Sequence, residues 1–246
     1  MFINKKNIEG KKIMKKIISY INAILNRLTK LFLKLRYFLQ RKLNLTKMYQ
    51  PNPFIVDDGT NIRDCLERFS SIDEFLPREP LSCLDIGCNE GFFVFKLADR
   101  GGFCVGVDSG RNEIMAANSI KSIYQINNVI FSNMHVEPKD FKGFPIFNVV
   151  IFLSVFHHLV KNNGVDFAKN FVREIASINS KYLVFETGQP NEKGVTWAEN
   201  MNFMLPDVDL WVKKMLLECG YKKVTIIGKN KSIRSDVQRF LFLAEK

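Results

Sequence analysis

At 246 residues, with 46% apolar and 25% charged positions, the chain can hold one α/β domain with a sizeable core plus an appendage. Its five cysteines form no Cys-x-x-Cys pair, which argues against structural zinc and points to a reducing, cytoplasmic compartment; no run reaches the roughly 18 apolar residues of a spanning helix, and no apolar stretch of about 7 residues follows the basic N-terminus to make a secretory signal. The formal charge of +11 is unevenly spread: residues 1–50 hold 13 Lys and Arg against one acid, Glu9, while the remainder carries 23 bases against 24 acids.

The first predicted element is a long helix in residues 1–50. Met14, Ile17, Ile21, Ile24, Leu28, Leu31, Leu35 and Phe38 alternate at spacings of 3 and 4, and Ile18, Leu25, Phe32 and Leu39 lie in a second stripe beside them. Two adjoining stripes make a face wider than a two-stranded coiled-coil seam. Lys15, Lys16, Arg27, Lys30, Lys34, Arg36, Arg41 and Lys42 supply the polar face, and no acid lies between Glu9 and Asp57 to pair across a coil. The pattern predicts a basic amphipathic helix, with an anionic membrane surface as partner through residues 13–42. Packing on the body or on a partner protein is the plainer reading, and an RNA-binding arm is a third, with only Tyr20 and Tyr37 available to stack.

Residues 51–246 then alternate strand and helix. Strands are expected at 81–87, 103–108, 128–132, 147–154 and 182–186, and helices at 91–100, 111–125, 164–179 and 207–219. The almost wholly apolar "FNVVIFLS" (147–154) reads as a central parallel strand covered on both faces. Segments 221–228 and 237–244 alternate as an antiparallel edge pair would. The expected fold is a doubly wound, Rossmann-like α/β sheet of seven strands, mostly parallel with an antiparallel C-terminal edge, plus the N-terminal helix. Such sheets bind ligands at the carboxyl ends of their strands.

The spacing Asp85-x-Gly87-x-Asn89-x-Gly91 follows the first strand and opens the first helix, and Asp108 ends the second strand. Glycines let a backbone approach a ligand, and a helix N-terminus favours a negative group. An acid at the end of the second strand can accept both hydroxyls of a ribose. Together these ask for a ribosylated ligand with a carboxylate or phosphate. A dinucleotide site would want Gly-x-Gly-x-x-Gly, whereas this turn is Gly-x-x-x-Gly with Asn89 inside it.

At this point the sequence resembles the class I S-adenosylmethionine (SAM)-dependent methyltransferases. "LDIGCNEG" (84–91) is similar to their first motif, "GVDS" (106–109) to their second, and "NVVIFLSVFHHL" (148–159) to their fourth strand and the segment directly after it. Asn89 departs from the common Gly, and Asn133 stands where an Asp often contacts adenine. The resemblance covers residues 54–246 and implies SAM as cofactor, held by Asp85, Gly87, Cys88, Asn89, Gly91, Asp108, Ser109, Asn133, Met134 and Ser154. "FHH", "FETG" (185–188) and the closing "SDVQRFLFLAEK" resemble bacterial methyltransferases of cell-surface polysaccharide synthesis. The layout is also similar to the tRNA wobble-uridine carboxymethyl-transfer family and, more distantly, to RNA methylphosphate-capping enzymes. The acceptor implied is therefore a hydroxyl of a glycan or lipid-linked sugar, with RNA as the alternative and a non-catalytic scaffold as a third reading.

Methyl transfer to a hydroxyl gains from a positioned general base. His157, His158 and Glu186 are the candidates, since they follow the strands that end beside the ligand crevice. Adjacent histidines diverge in direction, so one of the two is expected to face the acceptor, and a metal shared by the three is not expected. His135 reads as a surface residue. Trp197, in the insertion after Glu186, reads either as an acceptor-stacking ring or as a core anchor. Arg63 is a candidate for the SAM carboxylate.

Overall fold

The computed structural model describes residues 3–42, 50–51, 53, 64–178, 180–231 and 237–246, with side-chain detail in the N-terminal helix for 10–36 and Leu39. Arg63 lies outside the described residues. The chain divides into two compact units, one built on the N-terminal helix and one holding nearly all of residues 49–246.

Helix α1 (Ile3–Lys42) runs 40 residues, about 60 Å at 1.5 Å per residue. Both apolar stripes are solvent-exposed from Met14 to Leu35 and at Leu39, and Tyr20 is exposed as well. No described helix is long and apolar enough to cross a membrane.

The body contains strands β1 (Cys83–Ile86), β2 (Cys104–Asp108), β3 (Val129–Asn133), β4 (Val149–Leu153), β5 (Tyr182–Glu186), β6 (Lys223–Lys231) and β7 (Gln238–Glu245). Helices α2 (Cys65–Phe75), α3 (Phe92–Ala98), α4 (Arg111–Tyr124), α5 (Phe156–Asn163), α6 (Val165–Ser177) and α7 (Val208–Glu218) connect them, as do 3-10 turns at Pro138–Gly143 and Glu199–Met204. The sheet order is β3-β2-β1-β4-β5-β7-β6. β1 to β5 pair in parallel, and β7 runs antiparallel to both β5 and β6. The expected seven-stranded, mostly parallel sheet is therefore present, with one refinement: the last strand inserts beside β5 and pushes β6 to the edge. Composition explains the choice. β7 carries Leu241, Phe242, Leu243 and Ala244 into the core, whereas β6 is only half-buried and bears Lys223, Lys229 and Lys231, charges suited to an unpaired edge.

β1, β4 and β5 are buried along their whole length. Phe152 stacks on Phe171 of α6 with ring centroids 5.4 Å apart, and Phe156 meets Phe185 edge-on at 5.6 Å. Each fully buried Phe stabilises the fold by about 1.5–3 kcal/mol. This core fixes the carboxyl ends of β1 and β4, between which the strand order reverses and leaves a crevice.

Candidate active site

A cavity of about 340 Å³ opens at that crevice, within the size range of small-ligand sites. One wall comes from the ends of β1 and β2: Ile86, Gly87, Asn89, Asp108 and Ser109. Met134, His135 and Val136 line it beyond β3. The facing wall is Ser154, Val155 and, from α5, His158, Leu159, Asn162 and Asn163, which recur at helical spacing.

The turn after β1 shows why its residues are what they are. Asn89 adopts φ +52°, the left-handed region. Asn is among the few side chains that enter that region at low cost, so it replaces a glycine there without opening the turn. Its N–H donates to Asp108 Oδ2 at 2.8 Å, and the Gly110 N–H donates to Oδ1 at 2.7 Å. The Asp108 carboxylate is thus fixed by backbone while still facing the cavity. A Cβ on Gly87 would fall 2.5 Å from Val155 Cγ2, so only glycine lets α5 come this close to β1. Gly91 and Cys88 support the turn from beneath: a Cβ on Gly91 would strike the Phe131 ring, and the Cys88 thiol is buried beside Gly106. Asn133 does not line the cavity; its Nδ2 donates to the Asp108 carbonyl at 3.0 Å and ties β3 to β2.

Asp85 is buried, 3% exposed, and its Oδ2 has no hydrogen-bond partner among the described residues. Burial, then the nearby Asp108 charge, push its pKa well above the ordinary carboxylate range. Burial and the same two acids raise the Cys88 thiol also, so it is no ready nucleophile. A buried carboxyl next to Gly87, its Oδ2 unpartnered among the described residues, suits a cation.

These observations fit SAM. Such a ligand would bring a carboxylate to the turn at Gly87 and Asn89 and a ribose to Asp108, with its ammonium toward Asp85, which lies behind the cavity lining.

The three candidate bases occupy different surroundings. His158 is exposed and lines the cavity. His157 points away and is buried, with Nδ1 accepting the Gly188 N–H at 3.0 Å. Glu186 is completely buried and does not line the cavity. Its Oε1 accepts from Ser154 Oγ at 2.9 Å and from Arg239 Nη1 at 3.4 Å, and its Oε2 lies 3.2 Å from Arg68 Nε without hydrogen-bond alignment. Ser154, at φ +59°, accepts a further bond from Arg239 Nη1 at 3.0 Å. Arg239 clasps Glu192 in turn, with Nε to Oε1 at 2.7 Å and Nη2 to Oε2 at 2.9 Å. Burial opposes the charge on Arg239, but Glu192 and Glu186 outweigh it and raise its pKa. Glu186 thus holds Ser154, a strained residue of the cavity wall, rather than standing free as a base. Trp197 is a buried anchor, its ring 4.2 Å from that of His157.

His135 is exposed, as the sequence suggested, and also lines the cavity, whereas sequence reasoning passed over Asn162 and Asn163. The stripe at 155, 158, 159, 162 and 163 is the signal that would have found the two asparagines.

Comparison with known proteins agrees with this geometry. A family profile described as a methyltransferase domain matches residues 78–201, half of the chain. Over 202 residues the chain is 29% identical to the O-antigen chain terminator bifunctional methyltransferase/kinase WbdD of Escherichia coli, a match that covers 76% of this chain and 26% of the relative. It therefore spans about a quarter of the length of that protein. A solved structure of WbdD superposes with a TM-score of 0.68 at 25% identity, over 82% of this chain and 40% of the other. Magnesium protoporphyrin IX methyltransferase (ChlM) from Synechocystis PCC 6803, solved with bound SAH, shares the fold at 16% identity, with a TM-score of 0.58 over 89% and 99% of the two chains. The chain belongs to the methyltransferase-domain family.

Proposed function

We propose that this chain transfers a methyl group from SAM to a hydroxyl of a glycan or lipid-linked sugar, with His158 as the general base. The observation that carries the reading is the cleft itself, which sets the Gly87–Asn89 turn and Asp108 on one wall and His158 on the other. Bound SAM supplies an electrophilic methyl group on a sulfonium. The protein's part is to hold the acceptor oxygen in line and to take its proton. Holding supplies much of the acceleration; a base of this kind contributes roughly 10²–10⁴-fold. Asp85, Gly87, Asn89 and Asp108 hold the cofactor in this reading, and Ser154, braced by Glu186 and Arg239, shapes the wall beside the acceptor. The glycan acceptor is supported by the relative's name, an O-antigen chain terminator.

Helix α1, with an exposed apolar face and a basic one, is proposed to keep the enzyme on an anionic membrane, at the cytoplasmic face where lipid-linked sugars are built.

The test is incorporation of labelled methyl from SAM into separate glycolipid, RNA and protein pools by the full chain. Label in the glycolipid pool, lost on His158→Gln with SAM binding retained, is the expected result. Label in RNA instead would overturn the acceptor, and label in no pool would leave a SAM-binding scaffold.

A further inference from the structure

His157 and His158 are neighbours in sequence with unlike tasks. The His157 ring is 2% exposed. Its Nδ1 lies 3.0 Å from the Gly188 backbone nitrogen. An amide N–H can only donate, so Nδ1 carries no proton, and the single proton of a neutral imidazole sits on Nε2. Thr187 Oγ1 stands 3.4 Å from the same nitrogen. The ring packs against Trp197 at 4.2 Å and against His158 at 4.3 Å, centroid to centroid. On Trp197 in turn rests the Arg239 guanidinium, 5.2 Å from the indole, with Glu186 and Glu192 as its counter-charges. Packing around Gly188 leaves no slack, for a Cβ there would come within 2.3 Å of the Trp197 ring. Glu192 Oε1 also accepts the Gln189 N–H at 2.9 Å. The segment from Thr187 to Trp197 is therefore held from two sides: by Arg239 from β7 and by His157 from α5.

We propose that His157 is a positioning residue for methyl transfer, its unprotonated Nδ1 tying the segment after β5 to α5 and its ring setting the direction in which His158 faces the cleft. The catalytic part of this inference rests on the reading of His158 as base; the tautomer and the tie do not.

Two measurements on the full chain test it. The chain has only three histidines, so ¹⁵N-histidine spectra can be assigned with single His→Gln variants. The expected spectrum shows His157 unprotonated at Nδ1 and protonated at Nε2; a proton on Nδ1 near neutral pH overturns the proposal. The second compares His157→Phe, which keeps a ring but removes the acceptor, with His157→Asn, whose Oδ1 can replace Nδ1. In a Trp211→Phe background, which leaves Trp197 as the single tryptophan, His157→Phe should shift the Trp197 emission to the red and His157→Asn should not. Turnover should fall at least tenfold in the Phe variant with KM for SAM unchanged, and the Asn variant should be severalfold more active than the Phe variant. Equal activity of the Phe variant and the wild type, or equal inactivity of both variants with unchanged Trp197 emission, overturns the positioning role. Should the Phe variant not fold, the tautomer and the Asn variant decide. Failure of the wild type to methylate any pool sinks the proposed function instead, while the spectra still report on His157.

Discussion

Asn89 and Asp85 show how single residues set the cofactor turn. The left-handed conformation of Asn89 costs an ordinary L-residue about 1–2 kcal/mol, and a β-branched one more. Asn89→Gly should therefore leave both the denaturation midpoint and SAM affinity close to wild type. Asn89→Val should lower stability by at least about 1–2 kcal/mol and weaken SAM binding, because the Asn89 N–H that fixes Asp108 would move. Calorimetry with SAM and urea unfolding on the same samples check both. Asp85 works in the opposite sense. Its folded pKa lies well above the ordinary value, so across the interval between the two the folded chain holds a proton that the unfolded chain has released. Stability must fall as pH rises through that interval and then level off above the folded pKa. Asp85→Asn should remove this slope and raise stability at neutral pH by roughly 1–3 kcal/mol, the scale of an unsatisfied buried polar group, while SAM affinity drops. Urea midpoints across pH for both proteins decide it; parallel curves would show that Asp85 is not the stored charge.

At the scale of elements, the network under β5 makes its own prediction. Arg239→Met removes the clasp on Glu192 and the guanidinium donor to Ser154. Removing one partner of a buried pair costs about 3–5 kcal/mol, so the variant should lose that much in denaturant unfolding. Glu192→Gln in the same background should recover part of the loss; an additive loss in the double variant would mean that the two do not act as a pair. This network also marks where the sequence stops being readable. The strands, their order of appearance and the turn residues were legible because each is a local pattern: an apolar run, a glycine, an acid at a strand end. Asp108 and Asn89 could be singled out for that reason. Glu186 could not be told from a free base, because Arg68 lies far before it and Arg239 far after it in the chain. The position of β7 inside β6 was hidden likewise, since two alternating strands at a C-terminus can pair in either order. Helix α5 was missed as an element because its eight residues follow the β4 run after only Ser154 and Val155, with no glycine or proline between them.

The charge of the whole molecule is divided between its parts, and the division predicts behaviour that neither part shows alone. The body carries about as many acids as bases, so its net charge cannot draw the protein to an anionic surface, whereas residues 1–50 carry all of the excess. Any such attraction must run through α1, whose exposed stripes from Met14 to Leu35 add apolar burial to Coulomb attraction. Each Lys or Arg close to an anionic leaflet contributes about 1 kcal/mol. Replacing Lys15, Lys16, Arg27 and Lys34 by Gln should then weaken partition onto phosphatidylglycerol vesicles by roughly a thousandfold. The wild type should float with such vesicles at low ionic strength and release as salt rises, because the screening length shrinks from about 10 Å at 0.1 M to about 3 Å at 1 M. Phosphatidylcholine vesicles should capture much less. Equal flotation of the wild type and the fourfold variant would remove the electrostatic attachment. Retention on RNA with none on vesicles would assign the basic face to a nucleic acid instead, and the acceptor assay would then be expected to find its label in the RNA pool.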